Sequence, residues 1–209
     1  MSNENNKALD KKIKVILLGE SGVGKTSIIF KYVKDHFTER TRPTIGSTYM
    51  QKDIIRDNIT YKLNIWDTSG QERYHSITKL FIQKADIVIL VYSIDDERSL
   101  KNIDYWYNEV TDMLGDKFVL SIVGNKYDLF DDEIDAIPQE EGEKIAKEKN
   151  AIFKLISAKE DKKGIETLFE QLLDEYLNKI EKSEGMSHSF LTNSDSINIE
   201  KKKKRKKFC

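Results

Sequence analysis

The sequence of 209 residues lacks three features that would place it in particular protein classes. It contains one cysteine, so no disulfide can form within the chain. No apolar run approaches the roughly 18 residues that a membrane-spanning helix requires. No apolar signal sequence follows Met1. The single cysteine and the lack of a signal sequence favour a reducing, intracellular compartment.

Acidic residues outnumber basic residues over most of the sequence, except in one short basic segment near its end. The whole chain has a net charge of −1, but seven of its 35 Lys and Arg residues stand consecutively at 201–207. Residues 1–200 therefore contain 28 basic and 36 acidic residues, a net charge of −8. An acidic body argues against nucleic acid as a partner. The basic run at 201–207 is expected to have a function separate from that of the body.

Apolar runs and helical patterns alternate along the chain. Four continuous runs predict strands buried on both faces of a parallel sheet, at 13–19, 85–93, 118–124 and 151–157. A fifth run, at 59–65, alternates apolar and polar residues and predicts a half-exposed strand that pairs, across Asp57-Asn58, with another strand at 49–56. Apolar residues at helical spacing follow at 100–114 and 165–180.

This order of elements predicts the fold class and the domain limits. Strands that alternate with helices indicate an α/β fold with a mostly parallel six-stranded sheet and helices on both faces. The polar segment 1–11 is expected to be flexible, and one globular domain is expected over 12–180. Residues 181–209 lose helical periodicity and predict a flexible tail. Because such sheets bind ligands at the carboxyl ends of their strands, the chemistry should lie there.

A glycine-rich segment, GESGVGKTS, directly follows the first predicted strand. It matches the pattern G-x-x-x-x-G-K-[ST], with a strand before it and a helical pattern after it. Its glycines allow backbone N–H groups to wrap around phosphate oxygens, so the alternative of a glycine-rich turn without a ligand is disfavoured. We expect Lys25 to contact the β- and γ-phosphates and Thr26 to bind Mg²⁺. The predicted nucleotide-binding residues here are Gly19, Glu20, Ser21, Gly22, Val23, Gly24, Lys25, Thr26 and Ser27.

A second motif, N-K-x-D, ends a later strand with Asn125, Lys126 and Asp128. With the phosphate loop before it and the tripeptide S-A-K at 157–159 after it, the chain resembles the Ras superfamily of small GTPases. The resemblance implies that Asp128 accepts hydrogen bonds from the ring N–H and the amine of guanine, which adenine cannot donate. It also implies that Ser157, Ala158 and Lys159 form a third base-binding loop, in which the Ala158 N–H faces the guanine carbonyl oxygen.

The segment between these motifs, WDTSGQERY, resembles the second switch loop of the same superfamily. The resemblance implies that Asp67 holds Mg²⁺ through a water, that the Gly70 N–H contacts the γ-phosphate, and that Gln71 orients the attacking water. In the preceding loop, Thr44 would bind Mg²⁺ and the γ-phosphate. Phe37 would pack against the base. The predicted metal ligands are therefore Thr26, Thr44 and Asp67, and the predicted catalytic residue is Gln71.

Within the superfamily, the chain is most similar to the Rab family. The similar segments are TIG at 44–46, KLNIWDTSGQERYHSI at 62–77 and LVYSID at 90–95. The resemblance implies an enzyme that hydrolyses GTP, slowly without an activating protein, and that switches between GTP and GDP states to regulate vesicle-mediated membrane trafficking. It also implies four kinds of partner: an exchange factor, a GTPase-activating protein, a GDP dissociation inhibitor or escort protein, and effectors that bind the two switch loops.

Three alternatives remain beside this function. One is a Ras-like signalling GTPase. Another is a GTP-bound interaction module with little turnover, which stays open because Ser69 replaces the usual alanine beside Gly70 and Gln71. The third is an ATP-using phosphotransferase, which the N-K-x-D motif argues against.

The end of the chain, KKKKRKKFC, resembles the membrane-attachment signal of the same family. Cys209 corresponds to a prenylation site, although a single final cysteine is not the usual form. One lipid alone anchors a protein only marginally, and the seven cations can add about 1 kcal/mol each near an anionic membrane surface. We therefore expect a lipid-anchored protein on the cytoplasmic face of an intracellular or plasma membrane, cycling with the cytosol.

Overall fold

A computed structural model describes residues 9–39, 44, 46–71, 75–130 and 136–205 of the chain. Its central element is a six-stranded sheet with the strand order β2-β3-β1-β4-β5-β6. Strands β2 and β3 pair antiparallel, and the other neighbours pair parallel. The strands are β1 (Leu9–Leu18), β2 (Ser47–Arg56), β3 (Ile59–Thr68), β4 (Ile87–Ser93), β5 (Val119–Asn125) and β6 (Ile152–Leu155).

Helices connect the strands and cover both faces of the sheet, which confirms the predicted α/β fold. On β1, Ile16 and Leu18 belong to an apolar core that includes Trp106, whereas Leu17 points to the opposite face and is also fully buried. Burial on both faces is typical of parallel sheets. The helices are α1 (Lys25–Lys34), α2 (His75–Ile82), α3 (Glu97–Lys101), α4 (Ile103–Leu114), α5 (Gln139–Glu148) and α6 (Lys162–Arg205).

The first strand begins earlier than the sequence pattern predicted. Residues 9–11 were expected in a flexible N-terminal segment, but they pair with residues 59–61 of β3. Side chains support this extension, because the Lys62 ammonium lies 2.7 Å from the Asp10 carboxylate. Polar residues can take this place because the start of β1 is exposed to solvent. Residues 1–8 lie outside the described residues.

The turn between β2 and β3 has the geometry that its sequence indicates. Asp57 and Asn58 both adopt positive φ angles, 49° and 62°. A two-residue turn of this kind matches the twist of the strands that it joins, and it favours Asn and Asp at its centre. The predicted hairpin is therefore present.

The helical pattern at 100–114 forms two helices instead of one. Asp96 caps the first of these two helices, α3, through hydrogen bonds from the backbone N–H groups of Arg98 and Ser99. Asn102 then separates α3 from α4, and its side-chain amide donates a 2.9 Å hydrogen bond to Glu20 Oε1. The periodicity of apolar residues continues across Asn102, so it could not reveal this break.

The last helix, α6, runs to Arg205, beyond the end at 180 that the apolar pattern indicates. The chain divides into two compact units, Met1–Leu172 and Leu173–Cys209. Whether 181–209 is flexible in solution stays a prediction. Among the helices of the described residues, none combines the length and apolar character needed to cross a membrane.

Candidate nucleotide-binding site

A cavity of about 420 Å³ opens where the predicted motifs meet. Most of the predicted site residues line it, from the phosphate loop, the two switch loops and both base-binding loops. They are Ser21, Gly22, Gly24, Lys25, Thr26, Ser27, Phe37, Thr44, Gly70, Asn125, Lys126, Asp128, Ala158 and Lys159. The predicted residues Gly19, Glu20, Val23, Asp67, Gln71 and Ser157 are not part of this lining.

The phosphate loop joins β1 to the start of α1. Gly22 and Gly24 have φ angles of 86° and 94°, which residues with side chains rarely adopt. A Cβ atom at Gly24 would also lie 2.2 Å from the side-chain nitrogen of Asn125. Gly24 is thus required by its backbone conformation and by its close neighbour. The first residues of α1 line the cavity, at the helix end whose N–H groups have no acceptor within the helix.

Lys25 is buried beneath the loop, with 5% of its surface exposed. Its ammonium donates 2.7 Å hydrogen bonds to the carbonyl oxygens of Gly19 and Glu20. Burial lowers the pKa of Lys25 to about 8, although the negative charges of Asp67 and Glu20 act in the opposite direction. An anion in the cavity would therefore face a cation that is already held in position.

Two hydroxyl groups and a carboxylate converge beside Lys25. Thr26 and Thr44 donate hydrogen bonds of 2.6 Å and 3.2 Å to Asp67 Oδ2, and their own hydroxyl oxygens are 2.9 Å apart. Asp67 is 3% exposed, and its second oxygen, Oδ1, is buried without a hydrogen-bond partner among the described residues. Burial raises the pKa of Asp67, an effect that the Thr26 hydroxyl and the Lys25 charge partly offset.

This group of oxygens fits a hard divalent cation. Mg²⁺ prefers oxygen ligands and is usually bound by one or two protein groups together with phosphate oxygens and waters. Among the described residues, no cluster of three or more His, Cys, Asp or Glu side chains could hold a metal. The hydroxyls of Thr26 and Thr44 and the carboxylate of Asp67 are oxygen donors of the kind that suits such an ion.

The second switch loop approaches the phosphate loop at Gly70. A Cβ atom at this position would lie 2.3–2.4 Å from the backbone of Glu20 and Ser21, so only glycine allows the approach. The backbone N–H of the next residue, Gln71, donates a 3.3 Å hydrogen bond to the Ser69 hydroxyl. Gln71 is partly buried at the edge of the described segment and stands one residue from the cavity lining.

Asn125 connects the loops at the other end of the cavity. Its side-chain nitrogen donates a 2.8 Å hydrogen bond to the Val23 carbonyl, and its side-chain oxygen accepts a 3.0 Å hydrogen bond from the Ala158 N–H. Asn125 is 1% exposed, so both bonds lie in a dry environment where they are costly to lose. This side chain links the phosphate loop, the N-K-x-D loop and the S-A-K loop.

Asp128 lies next to the S-A-K loop and has one oxygen already bonded. Its Oδ1 accepts a 2.6 Å hydrogen bond from the hydroxyl of Ser157, which is itself 3% exposed. The same hydroxyl accepts hydrogen bonds from the N–H groups of Lys159 and Glu160. Ser157 is therefore bonded to Asp128 but does not itself line the cavity.

Four lining residues were missed by the sequence motifs. Thr38 and Glu39 follow Phe37, Leu129 follows Asp128, and Thr68 follows Asp67. Each is adjacent to a predicted residue or its loop, and adjacency is the signal that could have found them. Cys209 lies outside the described residues.

Comparisons with known proteins agree with this geometry. The sequence model of the Ras family matches residues 14–178. The chain is 37% identical to the Ras-related protein SEC4 of Saccharomyces cerevisiae over 168 residues, which cover 80% of this chain and 77% of that protein. It is also 37% identical to the Ras-related protein Rab-31 of Homo sapiens over 160 residues, 77% of this chain and 80% of that protein.

Proposed function

Because the chain belongs to the Ras family, we propose that its cavity binds GTP or GDP together with Mg²⁺ and is where GTP is hydrolysed. The family membership confirms the resemblance seen in the motifs. The protein is a Rab-like small GTPase, a GTP hydrolase that regulates vesicle trafficking, and its relatives do not favour the alternative functions. The observation that carries the assignment of the site is the meeting of three motif loops around one cavity.

The phosphates would occupy the end of the cavity at the phosphate loop. Backbone N–H groups at the start of α1 would donate to phosphate oxygens, and Lys25 would supply a positive charge to the β- and γ-phosphates. Mg²⁺, when bound, would neutralise negative charge on the phosphates. The hydroxyls of Thr26 and Thr44 would hold it directly and the buried carboxylate of Asp67 through a water, and Asp67 Oδ1, which has no hydrogen-bond partner among the described residues, supports this role.

The base would occupy the other end of the cavity. The carboxylate of Asp128 would accept hydrogen bonds from the ring N–H and the amine of guanine, while Ser157 keeps it in position. The Ala158 N–H would face the guanine carbonyl oxygen, and Phe37 would pack against the ring. Adenine offers no matching donors and would leave a charged acceptor unpaired, so guanine is selected.

Hydrolysis would follow from the position of the second switch loop. Gln71 would orient a water whose oxygen bonds to the γ-phosphorus while the bond to the β–γ bridging oxygen breaks, giving GDP and inorganic phosphate. The Gly70 N–H would contact the γ-phosphate. Since Thr44 and Gly70 would both be tethered by that phosphate, its loss would release both switch loops. Effectors would bind the tethered loops. Exchange factors and GTPase-activating proteins would set how long the GTP and GDP states last.

A single-turnover measurement tests the role of Gln71. Purified protein is loaded with GTP, Mg²⁺ starts the reaction, and released phosphate is followed. The Gln71→Leu variant should release phosphate at least about tenfold more slowly, because a misplacement of a reactant by about 1 Å can cost about 10²-fold in rate. Gln83→Leu, the same change at an exposed position, is the matched control. Equal rates in Gln71→Leu and the wild type would contradict the assigned role.

Membrane attachment forms a separate part of the proposal. Cys209 would carry a prenyl group, and the cations at 201–207 would favour anionic membranes on the cytoplasmic side. A GDP dissociation inhibitor or escort protein would shield the lipid in the cytosol. Cell fractionation of the Cys209→Ser variant tests this arrangement: the variant should move to the soluble fraction, and an unchanged distribution would contradict lipid anchoring.

A further inference from the structure

A carboxylate outside the recognised loops lies beside Lys126, a residue that lines the cavity. Asp95 stands two residues after β4, and both of its carboxylate oxygens are 3.4 Å from the Lys126 ammonium. Asp95 is not part of the cavity lining. It can therefore influence a bound base through Lys126, with no contact of its own.

The sheet holds this carboxylate in place from the other side. Ser93, the last residue of β4, donates a hydrogen bond from its hydroxyl to Asp95 Oδ1. Ser93 is 1% exposed and lies opposite Asn125 in the register of β4 and β5. Partial burial acts to raise the pKa of Asp95, but the Ser93 hydrogen bond and the Lys126 charge outweigh it and the net pKa is lowered. Asp95 is thus a fixed negative charge at neutral pH.

Lys126 combines an uncommon backbone conformation with a long, flexible side chain. Its backbone has φ 67° and ψ 34°, a left-handed conformation that residues with side chains seldom adopt. Lysine also has a long side chain that loses much rotamer freedom when it is ordered. Its side chain in this structure is 34% exposed, and that of Asp95 is 32% exposed. Both groups are reached by solvent, so added salt should screen this pair.

We propose that Asp95 is a positioning residue, which holds the Lys126 side chain along the base end of the cavity and thereby slows the release of guanine nucleotide. The inference rests on the function proposed above. Two contacts connect the sheet to Lys126: the hydrogen bond from Ser93 to Asp95 and the ion pair between Asp95 and Lys126. Ordering Lys126 before the base arrives lowers the entropy that binding must remove.

Release of a fluorescent GDP analogue from the full-length protein tests the proposal. The labelled protein is mixed with excess unlabelled GDP, and the dissociation rate is measured at low and at high salt. Asp95→Asn should release the analogue about two- to fivefold faster than the wild type at low salt, the size expected for a partly exposed ion pair. The difference should shrink at high salt because ions screen the pair. Asp95→Glu, which keeps the charge, should restore slow release.

A double-mutant cycle shows whether the effect passes through Lys126. Lys126→Met alone should accelerate release, and adding Asp95→Asn to it should produce no further acceleration. The control is Glu97→Gln, which removes an exposed carboxylate that pairs with Lys101 at 2.9 Å, and it should release GDP at the wild-type rate.

Three results would overturn the inference: an unchanged rate in Asp95→Asn, an acceleration independent of salt, or an equal acceleration in the Lys126→Met background. If the wild type did not bind the GDP analogue at all, the proposed function would fail together with the inference. Normal binding with unchanged release would overturn the inference alone.

Discussion

The two ends of the cavity differ in how fully the protein itself satisfies their buried polar groups. At the phosphate end, Lys25 and Asp67 are charged and almost fully buried, and one oxygen of Asp67 has no partner among the described residues. At the base end, Asn125 is equally buried, but both halves of its amide are bonded to the backbone of other loops. Asp128 is only partly buried and already accepts one hydrogen bond.

This difference indicates which end depends more on its ligand. Buried charges are costly unless they are paired, so on the proposed function an anion and a cation would complete the phosphate end. The base end is held together by protein contacts before any ligand arrives. We therefore expect substitutions at the phosphate end to have larger effects on binding than those at the base end.

The largest expected effect is the loss of the buried ammonium at the phosphate end. Lys25→Met should weaken GDP binding by about 100-fold or more, since it removes a desolvated charge partner of the phosphates. Equilibrium titration with a fluorescent GDP analogue measures the change. Lys34→Met, an exposed lysine on the same helix, serves as the control and should bind normally. A loss of less than tenfold in Lys25→Met would contradict the importance of the buried charge.

A smaller effect is expected at the base end. Asp128→Ala should weaken GDP binding by about 10- to 100-fold, because hydrogen bonds to a charged acceptor are lost. Binding of ADP, which makes no such bonds, should hardly change. Competition titrations with both nucleotides give the two values. Asp104→Ala, which removes an exposed carboxylate that pairs with Lys149, controls for the loss of charge. Equal weakening of GDP and ADP would argue against a role for Asp128 in selecting the base.

The smallest expected effect is a pH dependence caused by Lys25. Its pKa of about 8 lies below the ordinary value of 10.5, so the ligand-free protein binds fewer protons than the unfolded chain between these values. The contribution of Lys25 to stability therefore rises with pH across this window and is lost as pH falls through about 8. Bound phosphates favour the charged ammonium, so binding should raise its pKa.

Calorimetry in two buffers of different ionisation enthalpy measures the resulting proton uptake. GDP binding should take up a larger fraction of a proton at about pH 9 than at about pH 7, where Lys25 is already mostly charged. A proton uptake that stayed constant between about pH 7 and about pH 9 would show that the Lys25 ammonium is not the group whose protonation changes on binding.

The motifs predicted the loops of the site because each one depends on local sequence. Gly22, Gly24 and Lys25 follow a buried strand directly, and the backbone requirements of a phosphate loop are visible within nine residues. The parallel sheet was predictable for a similar reason, since its strands are continuous apolar runs.

Contacts between distant segments could not be predicted in this way. Asn125 bonds to Val23, 102 positions earlier, and Asp95 pairs with Lys126 across 31 positions. The interruption at Asn102 is equally hidden, because the partner of its side chain is Glu20 in the phosphate loop. These contacts depend on how the strands are ordered in the sheet, which apolar periodicity does not specify.

The identity of the bound nucleotide tests the central claim most directly. Full-length protein is purified in buffer that contains Mg²⁺ and then denatured, and the released nucleotide is identified by chromatography. If phosphates and a cation complete the phosphate end, and if Asp128 selects the base, guanine nucleotide should be released. Release of adenine nucleotide, or of no nucleotide, would contradict the account.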